Sequence, residues 1–370
     1  MALNEQKLQQ QFAARKILLP VAVGLGVIGF MLYRNYEPAQ LQILLQASPF
    51  WLGITVLVLL VRDYGYIYRI RYVTEKALSW KQSFQVIMLW EFASCALPSV
   101  VGGSTVAAYI LYKEHIPLGK SVAQVMVTAL LDNLYFVLAV PVVLLLAEGP
   151  VLPGLDVLSP AVRSSLKLAF GVSYCLVTLY AGLMWYALFI NLKAIKSLLI
   201  RMIMSRFMKR WRISLFNHAN ELLVASEHMR YKSAGYWWKA SVSTVFVWTS
   251  RYAIIGCLIA AFTSLSADEH LLVFTRNLVY KVVLMMSFTP GAAGLAEISF
   301  PAFFGMFLGG FTTVIVLLYR LLTYYLYLLL GAVVFPRWAA KAFRKHPVAA
   351  NREFIPAASL VRQQASPDIV

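Results

Sequence analysis

Two short segments carry the residue types that let a helix be broken and an ion be held. Leu97-Pro98-Ser99-Val100-Val101-Gly102-Gly103 and Thr289-Pro290-Gly291-Ala292-Ala293-Gly294-Leu295 each place Pro and Gly four residues apart inside an otherwise apolar stretch. Proline removes a backbone donor and glycine tolerates turns, so both segments interrupt helices. Lipid cannot satisfy the freed N–H and C=O groups, so such breaks survive only where protein or a water-filled cavity surrounds them, which is where transporters place substrate. Around the breaks lie ionisable groups within apolar runs: Glu91, Asp132, Arg251, Arg276, Lys281, Glu297 and Arg320. A charge at that depth is costly enough to be a functional candidate by default. The expected substrate-binding set is Pro98, Gly102, Gly103, Asp132, Arg251, Pro290, Gly291, Gly294, Glu297 and Arg320. Asp132 and Arg320 follow the two prolines by 34 and 30 residues, which predicts that they face one another as a midplane charge pair. Arg276 and Lys281 stand near the start of their block, where snorkelling outward is an equal reading.

The elements that must position these residues are membrane helices. The 370-residue chain is 60% hydrophobic and 13% charged, with a mean hydropathy of +0.70, which excludes an ordinary soluble domain. Cys95, Cys175 and Cys257 all fall in apolar segments and read as small hydrophobes, with no disulfide framework. Crossing about 30 Å of hydrocarbon takes roughly 20 apolar residues. Full crossings are expected at about 17–34, 49–70, 121–146, 168–190, 240–263 and 311–335, the first being a retained helix rather than a signal peptide. Blocks 82–116 and 271–309 hold the breaks, and each half has about 13 to 18 residues, which suits re-entrant hairpins of short helices, with two tilted crossings giving the same connectivity. The predicted fold is therefore an all-α polytopic membrane protein of about six full transmembrane helices plus two broken hairpins. An integral domain over 1–335 precedes a flexible basic tail over 336–370.

Charge sets the expected orientation. Of 33 lysines and arginines, 26 fall in residues 1–16, 62–81, 113–120, 191–239 and the segment after Phe335. By the positive-inside rule these face the cytoplasm, with both termini, of a cell inner membrane. The formal charge of +17 is then topology and calls for no nucleic acid. In this orientation one hairpin opens inward and the other outward, so units 49–146 and 240–335 form an inverted-topology repeat. The 191–239 stretch mixes Leu192, Ile195, Leu199 and Met202 with Lys193, Lys196, Arg206, Lys209, Arg210 and Arg212, a basic amphipathic pattern suited to the membrane surface. Tyr64, Tyr66, Tyr68 and Tyr72 read as an interfacial aromatic belt.

Taken in order, Leu97-Pro98 with Gly102-Gly103, Leu131-Asp132, Pro290-Gly291 with Gly294 and Glu297, and Leu318-Tyr319-Arg320-Leu321-Leu322-Thr323-Tyr324 resemble the lysylphosphatidylglycerol synthase transmembrane (flippase-like) family. That family forms the membrane part of bacterial multiple peptide resistance factors and also occurs as stand-alone proteins. The resemblance covers roughly residues 15–335 and implies translocation of an anionic or lipid-linked substrate between leaflets, with membrane lipids as partners. Where the family commonly has Asp after the first Gly-Gly and Arg three residues on, this chain has Ser104 and Ala107, and Asn133 stands where Arg often follows the Asp. Only 35 residues follow Phe335, too few for the aminoacyl-transferase domain of the full-length factors. No catalytic residue, metal ligand set or cofactor is expected. The alternatives are a scaffold for a separate lipid-modifying enzyme and an integral-membrane transferase acting on a lipid carrier. The latter would need paired carboxylates or a metal cluster at an aqueous face, where the sequence offers only scattered Glu37, Glu148, Asp156, Asp268 and Glu269.

Overall fold

A computed structural model describes residues 46–96, 103–151, 160–190, 226–227, 229–285, 289 and 291–342. These are almost entirely helical, with no strand among them. The helices are α1 (Pro49–Val73), α2 (Trp80–Ala96), α3 (Gly103–Lys113), α4 (Leu118–Leu146), α5 (Pro160–Trp185, followed by a π-helical turn Tyr186–Ile190), α6 (Ala234–Ala260), α7 (Ala267–Met285), α8 (Leu295–Leu308), α9 (Thr312–Arg320) and α10 (Leu326–Ala342). Helix α1, α4, α6 and the run Leu295–Ala342 are long and apolar enough to cross a membrane. The expected crossing at 168–190 is present as a helix but has only a shorter apolar stretch, Phe170–Trp185, and the one at 17–34 lies outside the described residues.

Local signals set the helix ends. Pro49 occupies the first turn of α1, where a missing N–H costs nothing, and the Ser233 hydroxyl accepts from Tyr236 N–H to cap α6. The run Leu295–Ala342 is not one rod. Gly309, at φ 52°, reverses the chain through a short 3₁₀ turn, Gly309–Phe311. Phe300 of α8 consequently packs against Tyr319 of α9, the tilted rings 5.7 Å apart between centres, so the two helices are antiparallel. At 14 residues α8 reaches about 21 Å, and the 11 of α3 reach about 17 Å, both short of the hydrocarbon thickness. From Thr312 through a π-helical turn, Leu321–Tyr325, to Ala342 the chain runs on for more than a full crossing.

The same order of elements therefore occurs twice: a long helix, two short helices around a break, and a long helix. Helices α1 and α6, which begin the two units, lie antiparallel along their length. Ser48 N–H donates to Ala261 C=O at one end (2.7 Å), and Tyr72 stacks on Tyr236 at the other (5.3 Å). Their approach depends on Gly65, where an added Cβ would stand 2.6 Å from Val247 Cγ2. Packing between units is reciprocal, α2 lying against α10 and α7 against α4. One apolar core, with Ile87, Phe92, Leu111, Tyr327 and Leu328, gathers α2, α3 and α10. A second, with Leu258, Val273, Phe300, Phe304, Ile315 and Val316, gathers α6 to α9.

Two boundaries differ from the sequence reading. Helix α10 continues to Ala342, seven residues into the expected tail, because Trp338 is buried and donates from Nε1 to Glu114 (2.8 Å), which also accepts from Gln82 (2.7 Å). Residues 343–370 lie outside the described set. Arg62 and Arg69, counted from sequence among charges facing the cytoplasm, sit inside α1 with 0% and 3% exposure, so the count on that face falls from 26 to 24. Glu75, in the turn after α1, does remain outside the spans. Burial raises its pKa, yet the hydrogen bond from Lys232 (2.7 Å) and the charge of Lys120 (3.4 Å) outweigh this and hold it below the ordinary carboxylate value.

The close contact at Gly65 has a direct consequence. Gly65→Ala should lower the thermal unfolding temperature of the detergent-purified protein, at a cost of about 1–3 kcal/mol for overpacking. Adding Val247→Ala should recover much of that loss, whereas simple additivity of the two would show that the helices do not meet there.

Candidate functional site

Helices that flank the two breaks line one cavity of about 600 Å³. Its wall takes Tyr66 and Arg69 from α1, Glu91 and Cys95 from α2, and Gly103, Ser104 and Thr105 from the start of α3. Asp132 comes from α4, Trp248, Arg251 and Tyr252 from α6, and the stripe Asn277, Tyr280, Lys281 and Leu284 from α7. Gly291 and Ala292 of the second break close it with Tyr319, Arg320 and Tyr324. The α7 stripe has spacings of three and four, so one helical face is turned inward.

The second break is unwound as the sequence predicted. Gly291, Ala292 and Gly294 have φ of 57°, 53° and 87°, a left-handed backbone that favours glycine. At Gly291 an added Cβ would fall 2.0 Å from the Tyr324 ring, so glycine is required for space as well as conformation. Gly294 caps α8, and the third residue of that helix, Glu297, accepts from the Gly294 N–H at 2.7 Å. A side-chain carboxylate thus already occupies the positive end of α8. The protein fills that end with its own anion. The first break lies between the end of α2 at Ala96 and the start of α3 at Gly103; Pro98, Gly102 and also Pro290 are outside the described residues.

The carboxylates in and behind the wall are paired, but not as the spacing predicted. Asp132 does not face Arg320. It meets Arg69, whose Nη1 and Nη2 reach its two carboxylate oxygens, and it accepts from Trp248 Nε1 at 2.6 Å. Arg320 instead pairs with the fully buried Glu297 at 2.7 Å, donates to Gly291 C=O at 3.2 Å and lies 4.0 Å over the Tyr324 ring. The antiparallel turn at Gly309–Phe311 explains this: it brings position 320 back beside 297 before any residue of α4 can reach it. Arg251 pairs with Glu91 at 3.1 Å and donates to Tyr66 Oη at 3.0 Å, tying α6 to α2. A π-helical turn, Leu321–Tyr325, follows Arg320 directly, a distortion that recurs at functional sites.

Of the ten residues expected at the site, Gly103, Asp132, Arg251, Gly291 and Arg320 line the cavity, Glu297 stands behind Arg320, and Gly294 holds the helix start. Arg69, Tyr66 and Trp248 were missed. The signal for Arg69 and Tyr66 was present in α1, where Leu59, Arg62, Tyr66, Arg69 and Val73 are buried with spacings of three and four, so Tyr66 belongs to an inward face and not to an aromatic belt. Arg276 proves to be a staple: its guanidinium donates to Pro150 C=O (2.6 and 3.0 Å) and Phe303 C=O (2.8 Å).

Apolar helices of spanning length around a charged internal cavity define a multi-pass membrane protein. The chain belongs to the family described as the lysylphosphatidylglycerol synthase TM region, which matches residues 17–331. It is also similar to a UPF0104 membrane protein of Archaeoglobus fulgidus (strain ATCC 49558 / DSM 4304 / JCM 9628 / NBRC 100126 / VC-16), at 24% identity over 301 residues, covering 78% of this chain and 83% of that one.

The observed pairing is tested by double-mutant cycles on thermal stability. Asp132→Asn with Arg69→Gln should be strongly non-additive, each single change stranding a buried partner, while Asp132→Asn with Arg320→Gln should be close to additive. The reverse ranking would restore the pair predicted from sequence spacing.

Proposed function

We propose that this protein translocates an anionic or lipid-linked substrate between membrane leaflets, with the headgroup passing through the cavity at the two helix breaks. The observation that carries this reading is the cavity itself. Both broken hairpins wall it, and Arg69, Arg251, Lys281 and Arg320 line it against Glu91 and Asp132. Its volume of about 600 Å³ lies within the usual range for ligand pockets, enough for a headgroup while acyl chains stay in the bilayer. The antiparallel course of α1 and α6 and the reciprocal packing of α2 on α10 and α7 on α4 support an inverted-topology repeat, in which one unit moves against the other. Membership of a lipid-synthase membrane family supports a membrane lipid as substrate. The lysine and arginine asymmetry supports an inner-membrane orientation with cytoplasmic termini.

Filling the cavity without touching its charges is the direct test. Ser104 lines the cavity as an exposed residue at the start of α3. Ser104→Trp should keep the parental unfolding temperature and lose most of the protein-dependent movement of fluorescent phosphatidylglycerol across liposomes. Parental movement in that variant would place the route elsewhere.

A further inference from the structure

Three of the four cations in the cavity wall have carboxylates of their own: Arg69 with Asp132, Arg251 with Glu91 at 3.1 Å, and Arg320 with Glu297 at 2.7 Å. Lys281 has no hydrogen-bond or carboxylate partner among the described residues. It lies within electrostatic range of Arg251, Glu91 and Cys95, and Glu91 is already engaged by Arg251. It stands on the inward face of α7 between Asn277 and Leu284, four residues from a helix end at the second break. Among the described residues, four positive charges thus stand against three negative ones, which leaves one cation unmatched. The start of α8 adds no further demand, because Glu297 already takes the Gly294 N–H.

We infer that Lys281 is the specificity-determining cation of the cavity and that it selects a ligand group carrying one net negative charge, a phosphate diester rather than a phosphate monoester or pyrophosphate. The argument is one of desolvation. An ammonium group held at membrane depth without a partner is costly, and a monoanion beside it cancels that cost. A zwitterion brings a second cation to a site with no carboxylate left to meet it. A dianion leaves an uncompensated negative charge in low dielectric unless it takes an arginine from its carboxylate, which strands that carboxylate in turn. The three ion pairs thus act as fixed walls, and Lys281 supplies the open valence.

This inference rests on the translocation reading for the nature of its ligand, but it is read out by binding. Detergent-purified protein is titrated at neutral pH with dihexanoyl phosphatidylglycerol, phosphatidylcholine and phosphatidic acid. Glycerophosphoglycerol serves as the same diester without chains. The parental protein should prefer phosphatidylglycerol over the other two lipids by roughly tenfold or more, the scale of one charge-assisted contact. Lys281→Met should erase that preference and Lys281→Arg should keep it. Tighter binding of the lipid than of the chain-free diester assigns the ligand to the bilayer; equal binding assigns it to a soluble diester, with the charge rule intact. Lys281→Met should also unfold at the same or a higher temperature, since it removes an unpaired, half-buried charge. A variant that unfolds earlier, or fails to fold, overturns the inference by showing a structural partner. So does a Lys281→Met protein that still prefers phosphatidylglycerol, or a parental protein that binds and moves lipids without regard to charge. If the parental protein neither binds nor moves any of these lipids, the translocation reading itself falls.

Discussion

A guanidinium enclosed by apolar helices must find its acceptors among them, and most of this structure can be read as the consequence. Neither lipid nor a hydrocarbon core can solvate Arg62, Arg69, Arg251 or Arg320, so each is met by a carboxylate: Asp63, Asp132, Glu91 and Glu297. Three of these pairs join different helices, α1 to α4, α6 to α2 and α9 to α8, and so fix where the helices stand around the cavity. Aromatic groups complete the coordination: Trp248 on Asp132, Tyr66 on Arg251, Tyr324 beneath Arg320 and Tyr327 on Asp63. Pairs of this kind are weak sources of net stability, and their geometric demand is what shapes the bundle.

The helix breaks answer the complementary problem, that of backbone polar groups. At Gly291–Gly294 the chain leaves helical geometry, and the freed groups are taken up locally. Gly294 N–H goes to Glu297, Gly291 C=O to Arg320, and Ala293 C=O to the Thr289 hydroxyl. The same arginine and glutamate therefore serve the ion pair and the broken backbone together. Ion pair, unwound turn and π-helical turn at Leu321–Tyr325 form one connected feature, and a movement of one requires a movement of the others. Such a coupled feature is a physical basis for two discrete arrangements of the cavity wall.

What the sequence by itself determined is the class of the protein, most of its described helices and the second break. Apolar length gave the membrane helices, since hydrocarbon thickness leaves few alternatives. Pro and Gly at fixed spacing located the second break because the left-handed turn needs glycine at 291, where Tyr324 leaves no room for a Cβ. Buried charge pointed to Asp132, Arg251, Glu297 and Arg320 because its cost is independent of the fold. The partners of those charges were decided only in three dimensions. Spacing along the chain suggested Asp132 with Arg320, but the reversal at Gly309 returns Arg320 to Glu297, and the antiparallel packing of the bundle gives Asp132 to Arg69. A linear count carries no information on which helix a side chain meets across a bundle, and neither did it show that Trp338 docks on Glu114. Pairing is a property of helix packing, and helix packing here depends on contacts such as Gly65 against Val247 that no local pattern encodes.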